Sequence, residues 1–426
     1  MKKNLNDHHK QIYKLVISLI LAIFLSVTFL QPATGKEVVV TFGETKTENY
    51  FPDGIRFSVK IDIDDHRGVV TFHYRLGGNS WSYDSAKCSA KINDDNKVEY
   101  YSCVYYLDTT GKPPQLPISY KWQLYGSVDR TSEEKSVIYE DPSFDWQSLT
   151  SKNLTIWWHD RPQEFADQTL AIAAEAIKSQ KSLFGVELNT SIQIVIENKS
   201  DEFLVWHNFS DDALDGRTIP AYGVMVLIVE TNVTNDWAES WLKNLVPRGV
   251  SHLYFYQVVA HKQKPPLWLK QGLAGYNALN DHSSDWAVVR NAIQQGTIIP
   301  LSELRNEFTG DDQKVQLAFA ESTTAAIYMF ETYGQEGLNK LFSAYQINKN
   351  SDEAFIEAFD RTVSEFEKDW EAWVVQRANR SINTTKYISY FFTAASVACS
   401  CLLMLIFVVI FLILVFNNKS SPQPVE

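Results

Sequence analysis

Thirty consecutive residues without a charged side chain, Tyr387 to Phe416, constrain this chain more than any other stretch. Leu402 to Phe416 is almost all Leu, Ile, Val and Phe. A helix of that length crosses the ~30 Å hydrocarbon core of a bilayer, and soluble cores seldom absorb one so uniform. The expectation is a transmembrane helix at 387–416 with a cytoplasmic tail at 417–426. A second apolar run, Leu15 to Leu30, follows Lys2, Lys3, Lys10 and Lys14 and precedes the small-residue stretch Gln31-Pro32-Ala33-Thr34-Gly35. This reads as a secretory signal peptide over 1–35, with an uncleaved anchor as the other reading. Together the two segments predict a single-pass protein of the cell membrane whose body is extracytoplasmic. Its first partner is the membrane itself, through the C-terminal helix. Lys419 alone marks the tail, against Arg377, Arg380 and Lys386 before the span, so the orientation rests on the leader.

Charge sharpens this picture. The chain carries 39 Lys and Arg against 51 Asp and Glu, a net −12. Residues 37–426 hold 34 basic and 50 acidic side chains, a net −16. A nucleic-acid binder needs a basic footprint, so that class is excluded. Aromatic residues at 13% and charged residues at 21% exclude a mostly disordered chain. Of four cysteines, Cys399 and Cys401 fall in the apolar segment. Cys88 and Cys103 are the pair left in the body, and fourteen residues between them suit neighbouring strands in an oxidising compartment. They are the candidate disulfide.

Residues 37–144 read as a β-domain. Ile55 to Ile61, Val69 to Leu76, Tyr100 to Tyr106 and Ile118 to Tyr125 alternate or cluster β-branched and aromatic residues between turn signals such as Pro52-Asp53-Gly54 and Gly77-Gly78-Asn79. About seven short strands predict an antiparallel sandwich of the immunoglobulin or fibronectin-III kind. From Asp145 strand-like runs (Leu154 to Trp158, Ile192 to Ile196, Val224 to Val229) alternate with helical periodicity, and after Asn235 nearly everything is helical. Trp237–Val259 is expected to be interrupted at Pro247. The fold class is therefore α+β, with a second domain at 145–378 and a short polar linker at 379–386.

Two stretches carry the chemistry. One is Val246-Pro247-Arg248-Gly249-Val250-Ser251-His252-Leu253; the other is Pro265-Pro266-Leu267-Trp268-Leu269-Lys270-Gln271-Gly272-Leu273-Ala274-Gly275-Tyr276. Together they resemble the gluzincin metallopeptidases, specifically the bacterial peptidase MA-like domain. There, one helix carries His-Glu-x-x-His and a second reads Pro-x-Trp-Leu-x-Glu-Gly-Leu-Ala-x-Tyr, with the third ligand eighteen residues beyond the second His. Eighteen residues separate His252 from Gln271. Less specific similarity extends to Ala318-Phe319-Ala320-Glu321-Ser322, to Phe366-Glu367-Lys368-Asp369-Trp370 and, upstream, to Phe144-Asp145-Trp146-Gln147.

The resemblance implies a zinc site at Arg248, Gly249, His252 and Gln271, and the residue types contradict one. A catalytic zinc takes three protein ligands and an open position for water, with a carboxylate as general base. Arg248 has no lone pair to offer and stays charged. Gly249 has no side chain to move a proton, and the carbonyl oxygen of Gln271 is a poor zinc donor. A lone helical histidine such as His252 is ordinarily a packing residue. No cofactor is expected, zinc being required only if distant residues rebuild the site. The leading expectation is a peptidase-like domain without zinc catalysis whose cleft binds a peptide or another surface protein. The alternatives are an active zinc metallopeptidase with rebuilt ligands and an adhesion module in which the sandwich does the binding.

Overall fold

The computed structural model describes residues 39–63, 68–126, 129–207, 216–259, 265–279 and 282–378, together with Ile410. The expected leader, the linker, the tail and all of the expected span but Ile410 lie outside these. Among the described residues no helix is long and apolar enough to cross a membrane. The chain is α+β, with β-sheets in its N-terminal part and helices dominating its C-terminal part. It divides into two compact units. Among the described residues, the first comprises 39–75, Trp81–Thr109 and Ser119–Val137; the second comprises Leu76–Ser80, Thr110–Ile118 and 138–378.

Among the described residues of the N-terminal part, ten strands form two sheets where about seven were expected. One sheet orders β1 (Val40–Phe42), β3 (Gly54–Ile63), β7 (Val98–Asp108) and β6 (Lys87–Ile92), with β2 (Lys46–Tyr50) also on β3. The other orders β10 (Lys135–Tyr139), β8 (Leu116–Gly126), β4 (Gly68–Leu76) and β5 (Ser82–Ser85), with β9 (Arg130–Thr131) on β8. Successive side chains of a strand face opposite ways, so the alternation in β3 buries Ile55, Phe57, Val59 and Ile61. The sheets meet through rings: Phe57 lies 4.6 Å from Phe72 and 4.9 Å from Tyr120, and Phe72 lies 4.7 Å from Tyr105. Buried Trp122 satisfies its indole N–H on Thr45 Oγ1 at 3.0 Å. Cys88 and Cys103 are directly opposed in the β6–β7 pair and are joined by a disulfide.

The second unit is built on a sheet ordered β11 (Gln147–Ser151), β12 (Leu154–Trp158), β13 (Ile192–Glu197), β15 (Val224–Ile228) and β14 (Gly216–Ile219). The central pairs β12–β13 and β13–β15 are parallel and the outer two are antiparallel. Every residue of β13 and β15 is buried, as in strands covered on both faces, including the polar Gln193 and Glu197 of β13. The helices are α1 (Gln163–Phe184), α2 (Ser200–Trp206), α3 (Asn235–Val258), α4 (Leu267–Tyr276), α5 (Ser283–Gln295), α6 (Asp312–Gln346), α7 (Ser351–Phe359) and α8 (363–378). Helix α6 bends at Gly334, whose φ of 63° is a left-handed value that favours glycine.

The expected interruption at Pro247 is not found: α3 runs through it. Proline lacks the N–H that would bond to the carbonyl four residues back, which orphans the carbonyl of Lys243. The N–H of Leu279, just past α4, donates to that carbonyl at 3.0 Å. A tertiary contact thus repairs the local defect. Helix α4 in turn presses closely on α6. A Cβ at Gly272 would lie 2.2 Å from the carbonyl oxygen of Ser322, and one at Gly275 would lie 2.1 Å from Thr323 Oγ1. Trp268 anchors the other side of α4, fully buried and 5.6 Å from Phe366.

Candidate functional site

Arg248 and His252 stand one turn apart on α3, as side chains at i and i+4 must. Gln271 on α4 adjoins the His252 ring, so the structure brings these three positions together. Gly249 faces β14 and β15: a Cβ there would lie 2.2 Å from Met225 Sδ and 2.9 Å from Thr218 Oγ1. Met225 is completely buried on β15. The space that a glutamate would need at the general-base position is taken by a thioether and a hydroxyl. Gly249 is interior to the helix, since α3 begins fourteen residues earlier at Asn235.

The electrostatics oppose a metal. His252 Nε2 is sealed from solvent and has no hydrogen-bond partner. Burial first, then the charges of Lys270 and Arg248, hold its imidazole well below the ordinary 6.5, while the Gln271 side chain pulls weakly the other way. His252 is therefore neutral across the physiological range. Lys270, the residue before Gln271, is itself pushed below its ordinary value by burial and then by the Arg217 guanidinium. The Arg248 guanidinium lies 5.0 Å from the Phe319 ring centroid, a cation–π contact. The residues present do not fit zinc. A divalent cation here would meet one imidazole nitrogen, a neutral amide and two like charges. Among the described residues no group of three or more His, Cys, Asp or Glu side chains converges as metal ligands would.

Of two buried carboxyls in this unit, Glu197 escaped sequence reading, and Glu321 stands in the stretch Ala318 to Ser322 without being singled out there. Glu321 on α6 is fully buried; one oxygen accepts the Ile299 N–H at 3.0 Å and the other has no partner. Burial raises its pKa to about 8. Glu197 at the end of β13 is likewise buried and raised to about 8 by burial, with one oxygen accepting Trp206 Nε1–H at 2.9 Å. Nothing in their sequence surroundings marks either as a desolvated acid; only the packing around them does. Lys270 was missed for a different reason. It was in view inside the second motif, and its nearness to His252 became visible only with α3 and α4 side by side.

Residues 172–376 match the family model described as the peptidase MA superfamily. No curated protein matches the chain.

Proposed function

With a peptidase MA-like domain at residues 172–376 as the premise, we propose that this domain has lost zinc catalysis and works as a binding module. We further propose an extracytoplasmic body, fronted by an immunoglobulin- or fibronectin-III-like sandwich and held to the cell membrane by the helix at 387–416. The observation that carries the first part is at Gly249. A general base is missing there, and Met225 and Thr218 fill the space where its side chain would stand. Loss of the carboxylate alone would leave a vacancy that one substitution could refill; a filled vacancy is a repacked core. Arg248 and Lys270 beside His252 support the same reading, because they disfavour the cation that the family's chemistry needs.

A peptide or another surface protein is the class of ligand that a disused peptidase cleft retains. The membrane assignment rests on the composition of 387–416 and on the leader.

The experiment compares metal content of the full chain, purified in detergent, with that of an Arg248→His/Gln271→Glu variant. The expected result is negligible zinc in the unmodified protein and zinc uptake in the variant. Stoichiometric zinc in the unmodified protein, with cleavage of a casein substrate that a chelator abolishes, refutes the proposal. For the membrane part, the chain should stay in the pellet after alkaline carbonate extraction; release into the supernatant would rule out the span.

A further inference from the structure

The cations near His252 do not end at the old metal position. Thr218, which abuts Gly249, is followed back along β14 by Arg217. Arg217 is exposed, and its Nη1 lies 3.1 and 3.2 Å from the two ring nitrogens of buried His207. It lines a cleft of about 430 Å³ within the second unit, with Trp206, Tyr222 and Lys112. Lys112 Nζ lies 5.9 Å from the Tyr222 ring centroid. Among the described residues, no carboxylate lines the cleft. Among the described residues, Lys112, Arg217 and Lys270 each lack a carboxylate in ion-pair contact. Arg217 acts electrostatically on Lys270, and Lys270 and Arg248 act on His252, so these cations form a strip within electrostatic reach of one another, from Arg217 in the cleft to the former metal position.

Gathering like charges in a partly desolvated place costs stability unless an anion meets them. The setting makes this strip stand out, because the body carries a net −16 and a local cationic track in an acidic surface focuses anions to one place. Strand β14 ends its sheet, so its outer backbone edge has no strand partner among the described residues. An extended chain laid there can take up main-chain hydrogen bonds, and Arg217 on this strand offers it a cation. Trp206 and Tyr222 give the same cleft an aromatic wall for apolar groups.

We propose that this cleft selects acidic peptides, with ligand carboxylates seated between Lys112 and Arg217 and reaching toward Lys270. The inference rests on the non-catalytic binding role proposed above and adds the ligand's charge to it. Fluorescence anisotropy with labelled hexa-glutamate, hexa-glutamine and hexa-lysine, against the full chain in zwitterionic nanodiscs, tests it. Hexa-glutamate should bind about tenfold more tightly than hexa-glutamine at low salt, with the preference shrinking as salt screens it. Arg217→Ala and Lys112→Ala should each weaken hexa-glutamate by about fivefold, whereas Lys340→Ala, exposed on α6 and not part of the cleft lining, should leave it unchanged. Since Lys270→Met bears on a site outside the cleft lining, the two variants at the cleft, Arg217→Ala and Lys112→Ala, decide the matter. Equal affinity for the acidic and neutral peptides, or no effect of either variant, overturns acidic selectivity and leaves the non-catalytic role intact. Cleavage of a bound peptide refutes that role and leaves the charge preference standing.

Discussion

Replacing Gly249 by alanine sets two effects of opposite sign against each other. In a helix interior, alanine is favoured over glycine by ~1 kcal/mol, so propensity alone predicts a more stable protein. The new methyl, however, would lie 2.2 Å from Met225 Sδ and 2.9 Å from Thr218 Oγ1, inside van der Waals contact for both. Forcing a methyl into a packed core costs about 1–3 kcal/mol, and Met225 is completely buried, so it moves only at the expense of its own neighbours. Overpacking therefore wins by about 1 kcal/mol, which for a unit of this size lowers the melting temperature by about 2–4 °C. Differential scanning calorimetry of the full chain, read on the transition of the second unit, measures it. Met225→Ala should relieve the clash, so the double variant Gly249→Ala/Met225→Ala should be less destabilised than the sum of the singles by about 1–2 kcal/mol. A rise in melting temperature for Gly249→Ala alone would mean that the propensity gain dominates and the space beneath α3 is open. The repacking argument for lost catalysis would then fail.

Glu321 gives a pH prediction. Its folded pKa of about 8 lies above the ordinary 4.5, so the folded state holds the proton more tightly, and stability is greatest below about 4.5 and falls as pH rises toward 8. Glu321→Gln should flatten that decline by about 2 kcal/mol between pH 5 and 7, measured as melting temperature against pH; parallel curves for the two proteins would refute it. Reducing the Cys88–Cys103 bond opens a link across 15 residues and should destabilise the N-terminal unit by ~3 kcal/mol, seen as an earlier calorimetric transition with dithiothreitol. Thr234→Ala removes the oxygen that accepts the Trp237 N–H at the start of α3 and should cost about 1 kcal/mol, whereas Thr234→Ser should cost far less.

How far the sequence reveals the fold depends on what each element is made of. Strands β3, β7 and β8 are legible because one face is buried and the other is not, which writes a period of two into the chain. Strands β2, β5 and β6 are exposed throughout and held by backbone pairing, so their side chains carry no such record. The helix pair at the candidate site is legible through spacing and flanking text, since Trp268, Gly272 and Gly275 are each fixed by what they touch. The cationic strip is not legible. Lys112, Arg217, Arg248 and Lys270 come from four separate segments, and only tertiary packing makes them neighbours. Pro247 misleads for the same reason, because a local rule about helices is answered by a residue thirty-two positions away.

That answer, the Leu279 N–H on the Lys243 carbonyl, bears on how such a site can change over time. The bond fastens the end of α4 to the middle of α3 using main-chain atoms alone. Any residue type except proline can supply the donor, and every residue type supplies the acceptor. The alignment of the two helices is thus partly indifferent to the side chains at 248, 252 and 271. Substitutions there can erase one chemistry and try another while the scaffold stays in register. A cleft inherited in this way is open to evolutionary drift in its ligands and closed to drift in its shape.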